Sequence, residues 1–274
     1  MTLTKEKPKQ ITENLRENAI RQNSKINLSL FNYCFLSYFY LLREIKENAS
    51  YASGTLLDVG CGSSPFINYF SSHLEKYLKH EHPQAAKENT KYDFLSELPQ
   101  ITAQSNSIDT IISFSVLEHV SKPFETLKEF KRILKDNGIF MISVPQYWHL
   151  HEEPHDYLRF TKYILKEKIT ELGFEIIYMN EVGKSFALVG QTFCNAIILM
   201  FDLGHVKNIL NFLSGKKTVN LGKSIIYTIY KSPLILLSII LIPIINLTFL
   251  ILDQMLGSPR DTIGYFVVAK KALH

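Results

Sequence analysis

Two glycines closely follow an acidic residue at the end of an apolar run, in the segment LLDVGCGSSPF, residues 56–66. Gly60 and Gly62 permit positive φ and let a ligand approach the backbone, and a helix starting directly afterwards offers free N–H groups. Asp58, before the first glycine, suits a ligand that carries a positive amino group. A dinucleotide cradle would need a third glycine at position 65, where this chain has Pro65. The spacing predicts a ligand cradle that need not hold a pyrophosphate; a plain strand–turn–helix corner is the alternative.

A second group of residues that could do chemistry lies in HLHEEPHDYLRFT, residues 149–161. It contains His149, His151, Glu152, Glu153, His155, Asp156, Tyr157 and Arg159. These residue types can transfer protons, and an arginine can hold a phosphate or carboxylate through two hydrogen bonds. They are also metal-ligand types, but they share one predicted loop without the i, i+4 spacing of helical zinc motifs, so no metal site is predicted. A solvated loop held by its own hydrogen bonds is the alternative.

The elements that must position these residues alternate between short strands and helices from Thr55 onwards. Strands are predicted at 55–59, 76–81, 91–94, 109–114, 138–144 and 174–182, and helices near 64–74, 123–136 and 161–172. Strands such as TIISF are apolar on both faces, as expected of buried parallel strands. This alternation predicts a doubly wound α/β sheet with helices on both sides. The link at 82–90 is short for a crossover helix.

The composition is that of a globular protein. The chain has 274 residues, of which 46% are hydrophobic and 20% charged, and its net charge of +4 is too mild to suggest nucleic acid. Three cysteines lie far apart without metal-type spacing, which favours a reducing compartment. The polar N-terminal stretch, with a helix expected from Ile11, lacks the apolar core of a signal peptide. Residues 26–49 have helical spacing of apolar residues. We expect the catalytic part in the cytoplasm.

Two segments together resemble the class I S-adenosylmethionine-dependent methyltransferases, most closely the type 11 group. LLDVGCGSSPF resembles motif I, and SIDTIISFSVLEHVSKPFETLKEFKRILKDNGIFMISVP resembles the fourth strand, loop, helix and fifth strand of that family. The resemblance implies S-adenosyl-L-methionine as cofactor and a Rossmann-like seven-stranded sheet with its last strand, GYFVVAKK, antiparallel. It divides the chain into an N-terminal helical segment, a core, an apolar helical insertion and the last strand, at 1–50, 51–186, 187–260 and 261–274.

The resemblance assigns seven residues to the cofactor site. Three would line the methionine end, one carboxylate would accept hydrogen bonds from the ribose hydroxyls, two would lie near the adenine, and one follows the fourth strand. In that order they are Asp58, Gly60, Gly62, Glu81, Asp93, Phe94 and Ser115.

Methyl transfer to a hydroxyl requires a group that takes the proton of the acceptor. The family topology places the 149–161 loop over the acceptor pocket, at the carboxyl edge of the sheet. We hypothesise that His155 is the general base or orients the acceptor, and that a carboxylate such as Asp156 raises its basicity. His119, which the resemblance directs towards the cofactor pocket, is the second candidate. The alternative is that the pair Glu118–His119 only shapes its loop.

The insertion contains a long apolar segment, SPLILLSIILIPIINLTFLIL at 232–252, with no charge over 21 positions. Its length suffices for a helix through the ~30 Å hydrocarbon core. No Asp or Glu occurs at 203–252, whereas several lysines do, which suits an anionic cytoplasmic membrane face. Because the last strand must return to the sheet, we expect a hairpin with 187–201, a bend at Pro243, or a helix lying in the interface. A soluble helical cap or a dimer interface is the alternative.

These patterns predict a methyltransferase that O-methylates a glycan or lipid-linked acceptor at the cytoplasmic face of a membrane, with no nucleic-acid partner. The glycan is favoured because the 149–161 loop resembles that of methyltransferases associated with polysaccharide synthesis. A methyltransferase acting on a soluble small metabolite is one alternative, and a non-catalytic cofactor-binding membrane scaffold is another.

Overall fold

The computed structural model describes residues 26, 28–70, 72, 74–87, 90–199, 213 and 221–272. They form two compact units. The first contains Tyr40–Val182 and the C-terminal residues from Thr262, and the second contains the described residues of Asn27–Phe39 and Gly183–Asp261. The helix expected from Ile11 lies outside the described residues. The predicted domain boundaries remain predictions.

The first unit is built on a mixed sheet. Its strands are β1 (Gly54–Val59), β2 (Leu74–Glu81), β3 (Phe94–Leu95), β4 (Ile108–Phe114), β5 (Leu134–Pro145), β6 (Phe174–Val182) and β7 (Gly264–Lys271). The described residues place them in the order β3-β2-β1-β4-β5-β7-β6. Strands β1 to β5 pair in parallel, and β7 is antiparallel to both β5 and β6. The predicted Rossmann-like sheet with an antiparallel last strand is confirmed.

The helices are α1 (Phe35–Asn48), α2 (Ile67–Phe70), α3 (Pro123–Ile133), α4 (Lys162–Glu171), α5 (Ser185–Leu199) and α6 (Leu221–Leu256). In the first unit, the helix α3 buries Leu127, Phe130 and Ile133 in a core that includes Phe140 on β5. The ring of Phe140 meets that of Phe174 edge-on, with 4.7 Å between their centroids. This packing fixes the sheet whose carboxyl edge carries the candidate site.

Two predicted helices are shorter in the structure. The helix expected at 64–74 covers only Ile67–Phe70, because Gly62 and Ser64 both have positive φ and delay its start. The helix expected at 123–136 ends at Ile133, since Leu134 is already extended, with φ −67° and ψ 136°. β5 therefore begins at once and bulges: Leu134 pairs with Ile108, and the next aligned pair is Ile139 with Thr110.

The strand expected at 91–94 is reduced to Phe94–Leu95, and the described residues between it and β2 contain no helix. Its first partner is His80, and Asp93 N–H donates to the Lys79 carbonyl at 2.9 Å. The short link after β2 therefore forms a loop, which is long enough to bring the chain back to a two-residue strand parallel to β2.

The second unit contains α5 and α6, which pack against each other. Gly190 on α5 allows this approach, because a Cβ there would lie 2.5 Å from Cβ of Phe249. Buried Asp253 accepts hydrogen bonds from the N–H groups of Lys184 and Ala187, at 3.1 and 2.8 Å, and so caps the start of α5. Asn246 Nδ2 donates to the carbonyl of Leu30 at 2.7 Å.

Among the described residues, one helix is long and apolar enough to cross a membrane by length and composition. It covers Ile229–Leu256, with a mean hydropathy of 2.8, and only 17% of its most apolar window is buried. It contains Pro233 and Pro243. The chain nevertheless returns to the sheet: β7 follows, and Thr262 Oγ1 donates to the carbonyl of Val182, the last residue of β6, at 3.2 Å.

Candidate functional site

The loop after β1 forms an open cradle. Gly60 has φ +70°, and a Cβ at this position would lie 2.5 Å from a methyl group of Val116 in the loop after β4. Gly62 has φ +54°, and a Cβ there would meet nothing within 4 Å. Both backbone conformations favour glycine. At Gly60 glycine is also required because Val116 leaves no space for a Cβ atom. The open side at Gly62 leaves room for a ligand against the backbone.

The end of β2 holds this loop in place. The N–H groups of Gly60 and Cys61 donate to the carbonyl of His80 at 3.0 and 3.1 Å. The N–H of Gly62 donates to Oε2 of Glu81 at 2.7 Å, and that of His82 donates to Oε1 at 2.9 Å. Each carboxylate oxygen keeps a further lone pair, so Glu81 can still accept from two vicinal hydroxyls.

Asp58 lies at the end of β1 and is 3% exposed. The hydroxyl of buried Tyr77 donates to Oδ2 of Asp58. Burial nevertheless raises the pKa of Asp58 to about 7, with the charge of Glu81 adding to the shift and the tyrosine opposing it. A buried carboxylate of this kind gains from a cationic partner.

The remaining predicted cofactor residues occupy the same edge of the sheet. Ser115 is exposed, has φ 54° and follows β4 directly, where its N–H donates to the Ser143 carbonyl at 2.9 Å. Phe94 is half-buried on β3. Exposed Asp93 uses Oδ2 to accept from the N–H of Lys79 at 2.9 Å, which fastens β3 to β2. Its role near an adenine stays a prediction.

The loops after β4 and β5 meet in a second cluster. A 3₁₀ turn at Leu117–His119 follows β4. The carbonyl of Glu118 accepts from the N–H groups of Tyr157 and Leu158 at 2.8 and 3.3 Å. In the opposite direction, Nδ1 of His119 lies 2.8 Å from the carbonyl oxygen of His155. The two histidines proposed as bases are therefore joined through a side chain and a backbone carbonyl.

His155 is exposed, and its Nδ1 lies 3.0 Å from the hydroxyl of Tyr157. Asp156 has a different neighbourhood from the one expected. Its side chain, 1% exposed, forms two hydrogen bonds with Arg159 at 2.7 and 2.8 Å and accepts from the N–H of His151 at 3.1 Å. Arg159 holds the pKa of Asp156 well below its usual range.

The donors of Arg159 are used inside the loop. Besides Asp156, the guanidinium donates to the carbonyls of Trp148, His149 and Leu158, at 2.9–3.2 Å. The arginine expected to hold a phosphate or carboxylate of a ligand therefore serves as the internal clamp of the loop. In this role it fixes Asp156, and through it His151.

Glu118 and His151 are residues whose proximity sequence reasoning missed. The imidazole rings of His119 and His151 meet edge-on, with 4.5 Å between their centroids, and Nε2 of His119 lies 3.9 Å from Oε1 of Glu118. Burial raises the pKa of Glu118, 1% exposed, to about 8. The available signal was that both segments follow neighbouring strands at the same sheet edge.

Comparison with known proteins decides the family. A family profile described as a methyltransferase domain matches residues 35–177, just over half of the chain. The chain belongs to the class I S-adenosylmethionine-dependent methyltransferases. The predicted class I family, the fold and the cofactor are therefore confirmed, whereas the type 11 grouping stays a prediction.

Individual relatives are distant from this methyltransferase. It is similar to a ubiquinone biosynthesis O-methyltransferase of Pelagibacter ubique, 29% identical over 97 residues, or 32% of this chain and 40% of that protein. An S-adenosylmethionine-dependent methyltransferase structure from Archaeoglobus fulgidus is 15% identical, with a TM-score of 0.47, covering 86% of this chain and 94% of that one. Another, from Aquifex aeolicus, is 18% identical with a TM-score of 0.41, covering 65% and 93%.

The cradle of this methyltransferase fits its cofactor. Asp58 offers a buried carboxylate to an ammonium, Gly62 leaves its backbone open, and Glu81 keeps acceptor capacity for ribose hydroxyls. When bound, S-adenosylmethionine supplies a methyl group on a positively charged sulfur. The assignment of individual residues to parts of the cofactor stays a prediction.

Proposed function

We propose that this protein O-methylates a glycan or lipid-linked acceptor at the cytoplasmic face of a membrane. The observation that carries the proposal is the unburied apolar surface of α6. Ile229, Ile240 and Ile244 are 67%, 60% and 55% exposed, and they belong to a helix long enough to span a bilayer. Soluble monomers rarely expose large contiguous apolar patches, so this helix favours contact with lipid.

The course of the chain supports attachment from one side. Because β6 precedes the insertion and β7 follows it within the same sheet, both ends of the insertion must be on the side of the catalytic unit. α5 and α6 pack together as a helical pair, and Pro243 permits a bend. Lys223 and Lys231 near the start of α6 suit an anionic, cytoplasmic leaflet.

The acceptor atom is proposed to be an oxygen. The similar Pelagibacter protein is named as an O-methyltransferase. In this chain, exposed His155 remains the proposed general base, with its Nδ1 beside the hydroxyl of Tyr157. Asp156 is assigned a positioning role instead, because Arg159 and His151 engage its carboxylate. A membrane-attached enzyme would meet acceptors that lie in, or are linked to, the lipid.

The test is transfer of a radiolabelled methyl group from S-adenosylmethionine in membranes of cells that make this protein, followed by extraction into lipid and aqueous fractions. We expect label in the lipid or lipid-linked glycan fraction, in a form stable to mild acid and base, as an ether is. The control is Gly60→Val, whose side chain would collide with Val116 and distort the loop that forms the cradle.

Two other results would replace the proposal. Label confined to a soluble metabolite would favour a methyltransferase with a soluble acceptor. Cofactor binding without any transferable label would favour a non-catalytic scaffold.

A further inference from the structure

Three metal-ligand side chains converge between the loops after β4 and β5. Glu118, His119 and His151 each offer one ligand atom, and these atoms lie within 4.8 Å of one another. Two come from the 3₁₀ turn after β4 and the third from the loop after β5. The sequence did not reveal this group, because His151 is more than thirty positions from the adjacent pair Glu118 and His119.

Both imidazoles use Nδ1 for contacts outside the cluster, and Nε2 of His119 lies 3.9 Å from Oε1 of Glu118. Nδ1 of His119 lies 2.8 Å from the His155 carbonyl oxygen; in a neutral imidazole that donates its Nδ1–H to this oxygen, the lone pair available to a metal is on Nε2. Nδ1 of His151 lies 3.2 Å from the His149 carbonyl and 3.3 Å from Oδ2 of Asp156. Carbonyl and carboxylate partners of this kind orient histidines that bind metals.

Glu118 supplies independent support for a ligand. Its Oε2 is buried and has no hydrogen-bond partner among the described residues. A buried carboxylate oxygen without a partner is unfavourable, and such an atom calls for an explanation. An ion between Glu118 and the two imidazoles would satisfy it.

We propose that Glu118, His119 and His151 bind a divalent first-row transition-metal ion such as Zn²⁺, Mn²⁺ or Fe²⁺. Two imidazoles and one carboxylate are suitable donors for these ions. Ligand atoms around a tetrahedral Zn²⁺ ion lie about 3.3 Å apart, given Zn–N distances of about 2.0 Å. The present distance is 3.9 Å between Nε2 of His119 and Oε1 of Glu118, and all the ligand atoms lie within 4.8 Å of one another, so metal binding would draw the three side chains closer together.

The use of the ion rests on the proposed methyl-transfer function. Three protein ligands leave at least one coordination position open. The site follows Val116, which lies against Gly60 of the cradle, so it is at the same edge of the sheet as the cofactor loop. An acceptor hydroxyl bound at the open position would be oriented and would lose its proton more easily to the proposed base, His155. Its oxygen would then bond to the methyl carbon as the S–CH₃ bond breaks, and the cofactor would leave as a neutral thioether.

The test uses the full chain, purified in mild detergent and freed of metal by a chelator. Zn²⁺ binding is measured by calorimetry, and Co²⁺ binding by its visible absorption, which strengthens at low coordination number. We expect about one ion per chain. His151→Ala and Glu118→Gln should each weaken binding by more than about 100-fold, since loss of a ligand exceeds the 10–100-fold effect of outer-shell partners.

The matched control is His155→Ala in the same loop. Only the backbone carbonyl of His155 approaches His119, and alanine retains it, so metal affinity should be unchanged. The inference is overturned if the wild-type chain binds neither ion, or if the His151 and His155 variants bind equally well. Circular dichroism of the nearly isosteric Glu118→Gln protein, compared with that of the wild type, shows whether the variant is folded.

Calorimetry with S-adenosylmethionine on the same samples separates this inference from the proposed function. Cofactor binding without metal binding would overturn the metal site alone. Metal binding without cofactor binding would leave the site intact and overturn methyl transfer.

Discussion

At the residue scale, Asp58 is the group through which we predict that the cradle responds to pH and to the charge of its ligand. The side chain is buried beside Tyr77 and near Glu81, and its pKa is raised to about 7. In the empty protein, it is therefore largely protonated below neutral pH and charged above it. An ammonium group on the ligand can pair only with the charged form, so binding and ionisation of Asp58 are coupled.

We therefore predict that the affinity for S-adenosylmethionine rises with pH. The charged fraction of a group with this pKa grows roughly eightfold between about pH 6 and about pH 7.5, while an α-amino group stays mostly protonated. Calorimetric affinity should rise by a similar factor. Asp58→Asn should bind more weakly and show a flat profile over this range. An equally steep profile in the variant would assign the effect to another group.

Glu81 is predicted both to hold the cradle loop in place and to bind the ribose hydroxyls of the cofactor. Its two oxygens accept from the N–H groups of Gly62 and His82. Glu81→Ala should weaken binding of S-adenosylmethionine by about 1.5–3 kcal/mol, the usual contribution of hydrogen bonds to a charged group. The matched control is Glu75→Ala on the same strand, where the side chain is exposed and affinity should not change. Equal affinity for both variants would remove Glu81 from the site.

The sequence was informative for these residues because each lies where a strand ends in a local pattern. Asp58, Gly60 and Gly62 lie within five consecutive positions, so their spacing alone predicts a cradle. The meeting of His151 with Glu118 could not be predicted in this way, since it depends on how two loops pack. The engagement of Asp156 by Arg159 was hidden for a related reason: composition does not reveal which of several possible partners a charged side chain selects.

At the element scale, the close contact of α5 and α6 depends on one glycine. A Cβ at Gly190 would lie 2.5 Å from Cβ of Phe249 and 2.8 Å from Cδ1 of Leu36. Gly190→Ala should force these elements apart and lower the free energy of unfolding by about 1–3 kcal/mol, the usual effect of overpacking. Thermal and denaturant unfolding measure the change.

Gly222→Ala is the matched control, because this glycine is also helical but a Cβ there would meet nothing within 4 Å. It should leave stability unchanged or raise it by up to about 1 kcal/mol through helix propensity. Destabilisation by both variants would point to a general intolerance of substitution and would contradict the packing argument.

Element types were predictable from the sequence, but several boundaries were not. The apolar face of α3 and its initial Pro123 revealed that helix, whereas its end at Ile133 depends on the pairing of Leu134 with Ile108 in the sheet. The sheet contact therefore overrides a pattern that would otherwise continue the helix. In the same way, positive φ at Ser64 shortens α2 in a manner that residue type alone does not predict.

At the scale of the whole molecule, the exposed apolar surface of α6 predicts attachment by insertion into lipid rather than by charge alone. The protein should pellet with membranes, stay there in about 1 M salt, where screening acts over about 3 Å, and be released by detergent. Ile240→Lys with Ile244→Lys should move it towards the supernatant, since a lysine at the centre of a membrane costs about 2.5–3.5 kcal/mol.

Tyr163→Lys is the control for added charge, because this residue is 73% exposed on α4 of the first unit. It should pellet as the wild type does. A wild-type protein found entirely in the high-speed supernatant would contradict membrane attachment and leave the exposed face for another chain to cover.

The pairing of Thr262 with Val182 brings the two ends of the insertion side by side. The insertion leaves the sheet and returns to it at neighbouring residues. A segment joined in this way can be gained, lost or exchanged during evolution without a change in the order of the strands. On the proposed membrane attachment, location and catalysis are then separable properties, and grafting another segment at this junction is expected to relocate the catalytic unit without changing its sheet.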